Sequence, residues 1–143
     1  MRRFLLALCS GDRMEAEDIA QEAMIKAYVA SDRFVERHKF STWLFKIAYN
    51  TFIDHKRRTR NYVTDIDEAV QVADEARPDD AFAYRDLYEA IDALPVKERT
   101  AILLFYINGE AVKEIAEITG STQMAVKQRL SRGRRKLRQI LER

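Results

Sequence analysis

The 143-residue sequence contains few of the residues that interrupt helices or cross-link chains. It has one cysteine, two prolines and four glycines. The single cysteine, Cys9, excludes an intramolecular disulfide and suits a reducing cytoplasm, where we expect it to be a buried thiol. Because glycine and proline are scarce, a turn-rich β architecture is disfavoured.

Long apolar runs and patterns of catalytic or metal-binding residues are also lacking. No stretch approaches the roughly 20 apolar residues that span a bilayer. The segment from Met1 to Cys9 resembles a signal peptide, but charged residues follow where a small-residue cleavage site should lie. His38 and His55 belong to no cluster of metal ligands, and no phosphate-binding glycine loop occurs. We therefore predict that the protein is not an enzyme, and that it uses no cofactor, metal or small-molecule substrate.

The composition divides the chain into three blocks. Residues 1–60 and 81–143 carry apolar residues at helical spacing, whereas residues 61–80 lose this periodicity and collect acidic side chains. The overall balance of 25 basic against 23 acidic residues is uninformative, so the distribution of charge carries the information. These blocks predict an all-α fold of two small helical domains joined by an acidic linker.

The apolar periodicity also predicts where helices begin and end in the first block. Gly11-Asp12 closes a short apolar segment, and a helix follows from Met14 to about Ala30. A polar loop over residues 32–39 precedes a helix that Ser41 or Thr42 is expected to cap. The basic run at residues 56–60 should end this helix, because cations complement the C-terminal end of the helix dipole.

In the third block, one helix is outlined by Phe82, Leu87, Ile91 and Leu94. Pro95 is then expected in the first turn of an apolar helix, which Asn108-Gly109 closes.

Residues 112–137 have the pattern of a helix-turn-helix. Ala116 is small enough to let two helices approach, Gly120 can adopt positive φ, and Ser121 or Thr122 can cap the second helix. The second helix has seven cations in twelve residues, more than its dipole explains: Lys127, Arg129, Arg132, Arg134, Arg135, Lys136 and Arg138. Long cationic donors suit phosphates and base edges, so this helix is predicted to bind DNA.

The first block interleaves aromatic and basic residues. Five aromatic residues lie among six basic ones, a composition that suits single-stranded nucleic acid because bases stack on rings: Phe40, Trp43, Phe45, Tyr49 and Phe52 among Lys39, Lys46, His55, Lys56, Arg57 and Arg58. Taken singly, each aromatic residue is more often a core residue. Both interpretations remain open on this evidence.

Together the two blocks resemble the extracytoplasmic-function (group IV) class of RNA polymerase sigma factors. The segments AEDIAQEA at residues 16–23, FSTWLFKIAYN at 40–50 and DHKRR at 54–58 resemble region 2 of that class. Leu94-Pro95 and VKQRLSRGR at residues 126–134 resemble region 4. The order of the motifs and the intervening acidic segment agree with the class as well.

The resemblance implies that the chain directs core RNA polymerase to specific promoters and assists DNA melting. Region 2, at residues 1–60, would bind the β′ clamp helices through Asp18, Gln21 and Glu22. Its contacts to the minus-ten element would be made by Phe40, Thr42, Trp43, Asn50, Arg57 and Arg58. Region 4, at residues 81–143, would recognise the minus-thirty-five element through Thr122, Lys127, Gln128, Arg129, Ser131, Arg132 and Arg134.

The resemblance also implies partners and a location. The expected partners are the β′ and β subunits of core polymerase, double-stranded promoter DNA, its melted non-template strand and an anti-sigma factor. The expected location is the cytoplasm, or the inner membrane when a membrane-anchored anti-sigma factor holds the chain. Members of the class usually have a further helix before the segment that begins at Met1, so a short N-terminus is expected. Ser131 is smaller than its counterpart in some relatives, so base preference does not carry over.

A conventional helix-turn-helix regulator is the alternative function. It predicts two-fold symmetric operators and DNA binding without polymerase, whereas a sigma factor predicts an asymmetric two-part promoter and weak binding by the free protein. A helical adaptor that binds only protein would leave the basic second helix unexplained.

Overall fold

A computed structural model describes residues 1–35, 39–63 and 85–142 of the chain, and within these ranges no β-strand occurs. The helices are α1 (Arg2–Leu8), α2 (Arg13–Val29), α3 (Phe40–Val63), α4 (Arg85–Asp92), α5 (Val96–Ile102), α6 (Val112–Thr119) and α7 (Gln123–Leu141). The predicted all-α fold class is therefore confirmed. No helix in these ranges has the length and apolar character needed to cross a membrane.

Small side chains on α2 bring the first three helices together. Asp12 caps α2 by accepting a hydrogen bond from the Glu15 amide (3.1 Å), and the helix then runs within one residue of its predicted bounds. Ala16, Ala20 and Ala23 are buried on one side of α2, which contacts both α1 and α3. Because alanine has only a methyl side chain, the neighbouring backbones can approach closely.

The predicted N-terminal boundary of α3 is wrong. The Trp43 amide donates to the Lys39 carbonyl (3.1 Å), so the chain is already helical where Ser41 or Thr42 was expected to cap it. Thr42 instead lies in the first turn, where it is 5% exposed. At its other end α3 continues to Val63, three residues past the basic run. The rings of Phe34 and Trp43 pack against Phe40 in this first turn, which supports the earlier start of α3.

The helices of the third block differ from prediction at two boundaries, the end of α4 and the start of α5. Helix α4 ends at Asp92, so Leu94 lies beyond it, although its side chain is buried as expected. Pro95 immediately precedes α5 rather than lying in its first turn. The predicted contribution of Phe82 and most of the predicted linker, from residue 64 onward, lie outside the described residues.

Helix α5 continues into a wider π-helical segment, Leu103–Ile107. The Asn108 amide donates to the Leu103 carbonyl (3.1 Å), a five-residue step, and Gly109 with φ +70° ends the segment as predicted.

The helix-turn-helix forms as predicted. Gly120 ends α6 with φ +62°, and Thr122, the second of the two predicted caps, accepts a hydrogen bond from the Ala125 amide (3.1 Å). Val126 and Leu130 of α7 are buried against the preceding helices. The turn and these buried residues therefore determine which side of α7 is exposed to solvent.

The two halves of the described chain pack against each other. Helix α1 contacts α4 and α5, and α3 lies against α6, so that buried apolar residues of both halves form one continuous core. Arg99 of α5 donates to the Leu8 carbonyl at the end of α1 (2.8 Å), and Lys39 pairs with Glu114 of α6 (Nζ to Oε1, 2.8 Å). We call this packing the closed arrangement.

Candidate nucleic-acid interface

Three aromatic rings cluster where the chain enters α3. The ring centroids are 5.8 Å apart for Phe34 and Phe40, 5.2 Å for Phe34 and Trp43, and 5.7 Å for Phe40 and Trp43. Phe40 is 59% exposed, whereas Phe34 and Trp43 are half-buried. Phe34 was not among the predicted site residues, because it precedes the interleaved run and its contact with α3 crosses a loop.

One face of α3 extends this aromatic cluster with polar side chains. Trp43, Asn50 and Arg57 follow each other at seven-residue spacing, so they project from the same side of the helix with only a slight drift. Asn50 and Arg57 are exposed. Thr42 is buried instead, and its hydroxyl finds no hydrogen-bond partner in the described part of the chain. The structure therefore brings together Phe40, Trp43, Asn50 and Arg57 but leaves Thr42 outside this surface.

Two residues predicted to bind different partners contact each other. Arg58 donates from Nη2 to both carboxylate oxygens of Glu22, at 3.1 and 3.0 Å. Burial opposes ionisation of Glu22, but the hydrogen bonds and charges of Arg58 and Lys26 outweigh it, so the pKa of Glu22 lies below its usual value. Each side chain of this pair, which joins α3 to α2, therefore already has a partner within the first half of the chain.

The outer face of α2 is more apolar than its predicted site residues suggest. Asp18 and Gln21 are exposed there, and next to them Ile25 is 66% and Tyr28 82% exposed. Exposed apolar side chains next to polar ones are typical of protein-binding surfaces. Sequence reasoning missed Ile25 and Tyr28, although apolar residues at positions off the buried alanine stripe were a usable signal.

Helix α7 presents a polar and cationic face to solvent. Within the described residues, the side chains of its predicted base contacts make no hydrogen bond or ion pair with the rest of the protein: Lys127, Gln128, Ser131 and Arg132. Arg135 is exposed on the same face, four residues after Ser131 and seven after Gln128. It was counted among the cations of this helix but omitted from the predicted site, although its spacing would have included it.

Three other predicted residues of this helix have structural partners. Arg129 is half-buried near Tyr49 of α3; burial raises the pKa of Tyr49, and the Arg129 charge opposes that rise. Arg134 donates from Nη1 to the Tyr106 hydroxyl (3.1 Å). Thr122 caps the helix. Fewer residues of α7 are therefore available to bind DNA than the sequence predicted.

The fold and these surfaces define a helix-turn-helix protein that also has an aromatic and cationic face on a separate helix. Profiles of two protein families match the chain: "Sigma-70 region 2" over residues 1–62 and "Sigma-70, region 4" over residues 84–137.

Individual relatives match over nearly the whole chain. The ECF RNA polymerase sigma factor SigW of Bacillus subtilis (strain 168) is 42% identical over 145 residues, covering 92% of this chain and 78% of SigW. The ECF RNA polymerase sigma factor SigM of the same organism is 30% identical, covering 99% of this chain and 88% of SigM.

Among solved structures, the sigma factor RpoE from Bartonella quintana, in complex with the anti-sigma factor NepR, superposes with a TM-score of 0.87. It is 29% identical, and the match covers 99% of this chain and 89% of RpoE. The chain belongs to the extracytoplasmic-function (ECF) family of RNA polymerase sigma factors, which confirms the resemblance found in the sequence.

Proposed function

We propose that this chain directs core RNA polymerase to specific promoters and assists DNA melting there. The observation that carries the proposal is the presence of two exposed surfaces of different chemistry, the aromatic face of α3 and the cationic face of α7, each suited to nucleic acid. A conventional regulator needs only the second surface, and the family membership favours the sigma factor. The region boundaries proposed are residues 1–60 for region 2, 61–80 for the linker and 81–143 for region 4.

The α3 face has the chemistry needed at the minus-ten element. Melting exposes bases that stack on aromatic rings, and the exposed ring of Phe40 next to Trp43 offers such a platform. Asn50 can hydrogen-bond a base edge, and Arg57 can contact a phosphate. Two further residues of the predicted site cannot contact DNA in their present positions, because Thr42 is buried and Arg58 is paired with Glu22 of α2.

The α7 face has the chemistry needed at the minus-thirty-five element. Gln128, Ser131 and Arg132 lie toward the first half of the helix, the part that contacts base edges in a helix-turn-helix. We assign them, together with Lys127 on the same face, to bases, and we assign Arg134 and Arg135 to phosphates. Arg129 is half-buried, so it reaches phosphate only if it moves out of this position.

The outer face of α2 suits the polymerase. Asp18 and Gln21 supply polar contacts. The neighbouring Ile25 and Tyr28 supply apolar surface that is exposed to solvent in the free chain and would be buried by the polymerase. This face lies away from the buried alanine stripe and is exposed to solvent, so it is accessible to β′.

The closed arrangement must open during initiation. The two promoter elements are about 25 base pairs apart, or about 85 Å along B-DNA. A compact chain of this length has a radius of gyration of only about 15 Å, so a closed chain cannot contact both elements. We therefore infer that polymerase binds an open form, and that the closed form is the one held by an anti-sigma factor in the cytoplasm. The superposition with RpoE of the RpoE–NepR complex supports this inference.

Replacement of Arg132 tests the proposed recognition surface. We expect polymerase carrying Arg132→Ala to lose discrimination at one minus-thirty-five base pair, by about 1–3 kcal/mol. Transcripts from a library randomised over that element would measure the change. Lys97→Ala, which removes an exposed cation on α5, is the matched control and should leave selection unchanged. Specific binding to a two-fold symmetric operator without polymerase would instead favour the regulator.

A further inference from the structure

We propose that Phe34 is a positioning residue of the minus-ten surface, and that it holds the exposed ring of Phe40 where a melted base can stack on it. This inference rests on the proposed function and adds a residue that does not itself need to touch DNA.

The rings of Phe34, Phe40 and Trp43 form a closed triangle. Phe34 meets Phe40 almost perpendicularly (88°), the edge-to-face geometry that aromatic pairs favour, and it meets Trp43 at 52°. Each ring therefore touches the other two. Among the described residues, removal of Phe34 would leave Phe40 with one aromatic neighbour, Trp43, one turn along the same helix.

The backbone before Phe34 is fixed by local hydrogen bonds. A short 3₁₀ turn, Ser31–Arg33, follows α2, and the Ser31 hydroxyl donates to the Tyr28 carbonyl (2.8 Å). The Phe34 amide donates to the Ser31 carbonyl (3.2 Å), after which the chain turns extended (φ −67°, ψ 127°). Phe34 is thus presented to the start of α3 from the end of α2.

Phe40 needs such support because it is the first residue of α3. The first turn of a helix lacks half of its backbone hydrogen bonds and is prone to fray. Phe40 is also 59% exposed, so little else restrains its ring. A ring that is already oriented loses less conformational freedom when a base stacks on it, and this raises affinity without any new contact to DNA.

The test compares Phe34→Leu with Phe34→Tyr in complexes of the full chain with core polymerase. Leucine keeps apolar volume but loses the ring, so we expect the affinity for a single-stranded minus-ten oligonucleotide to fall about three- to tenfold. Tyrosine keeps the ring and should restore wild-type affinity. Fluorescence of a 2-aminopurine placed in the oligonucleotide reports stacking directly.

A double-mutant cycle with Phe40→Leu separates positioning from a general structural role. If Phe34 acts through Phe40, the loss in the double variant should be smaller than the combined losses of the single variants. Binding to duplex minus-thirty-five DNA and to polymerase should be unchanged. Wild-type affinity of Phe34→Leu, or additive losses with a matching fall in melting temperature, would overturn the inference. A wild-type complex that opens no promoter would overturn the proposed function, and this inference with it.

Discussion

Gly133 marks a close approach between α5 and α7. A Cβ atom added there would lie 2.8 Å from Cγ1 of Ile102, which is itself buried. Alanine would favour the helix by about 1 kcal/mol, but overpacking a filled core costs about 1–3 kcal/mol. We therefore expect Gly133→Ala to lower the free energy of unfolding by about 0–2 kcal/mol in urea.

Ser131→Ala, two residues earlier on the exposed face of the same helix, is the control, with an expected change within about 0.5 kcal/mol. A more stable Gly133→Ala protein would contradict the tight packing.

The pair of Glu22 and Arg58 predicts a pH dependence of stability. The pKa of Glu22 lies below its usual value in the folded protein, so its ionised form contributes stability at neutral pH. That contribution is retained down to the pKa of the unfolded state and is lost as the pH falls through the lower pKa of the folded state. Glu22→Gln should therefore be less stable than wild type by up to about 1 kcal/mol at pH 7.

As the pH is lowered, the same difference should begin to shrink near the usual pKa of glutamate and should vanish only below the lower pKa of the folded state. Thermal unfolding of wild type, Glu22→Gln and Arg58→Met across this range provides the measurement. A difference that grows as the pH falls would rule out the assigned direction.

At the scale of single residues, sequence patterns identified most of the exposed site residues. They did not identify the residues on other helices with which some site residues interact. Asn50, Gln128 and Arg132 are solvent-exposed because helical spacing places them off the buried faces. Spacing within a helix says nothing about a neighbour from another helix. The pairing of Arg58 with Glu22 and the electrostatic effect of Arg129 on Tyr49 therefore went unpredicted.

Among the elements, α7 depends on its N-terminal cap. Thr122→Ala removes the hydroxyl that accepts from the Ala125 amide and should lower the free energy of unfolding by about 1 kcal/mol. Thr122→Ser keeps the acceptor and should be near wild type. Urea denaturation followed by circular dichroism would measure both. Equal stability of the alanine and serine variants would show that the cap contributes nothing.

Helix boundaries were predictable where a single residue determines them. Gly120 and Gly109 adopt the positive φ that their lack of a side chain permits, and both end helical segments as predicted. The start of α3 was not predictable in this way, because its first turn is supported by the rings of Phe34 and Trp43. That support comes from tertiary packing, which overrides the capping preference of Ser41 and Thr42.

For the whole molecule, the account requires the closed arrangement to open before transcription begins. Lys39 and Glu114 face each other across the two halves, so Lys39→Cys with Glu114→Cys gives a pair that a short, cleavable bismaleimide can bridge. We expect the bridged protein to support only background transcription from its promoter, and reductive cleavage of the bridge to restore activity.

Cys9 should not interfere with this experiment, since burial raises the pKa of its thiol to about 12 and leaves little thiolate to react. Each single-cysteine variant treated with the same reagent is the control. Full activity of the bridged protein would contradict the need for opening.

The closed arrangement itself left no pattern in the sequence. Its contacts join distant positions, such as Arg99 and the Leu8 carbonyl, 91 residues apart. In the sequence, the apolar face of a helix has the same periodicity whether it is buried against its own half of the chain or against the other half. The two-domain, all-α organisation was therefore predictable, whereas the packing of the two halves was not.

The most direct test of the central claim is to mix the purified chain with bacterial core RNA polymerase and map transcript starts on a genomic fragment library. The account predicts co-elution with polymerase and initiation at defined sites that share an asymmetric two-part motif. Site-specific DNA binding by the free chain, with no association with polymerase and no new transcript starts, would contradict it.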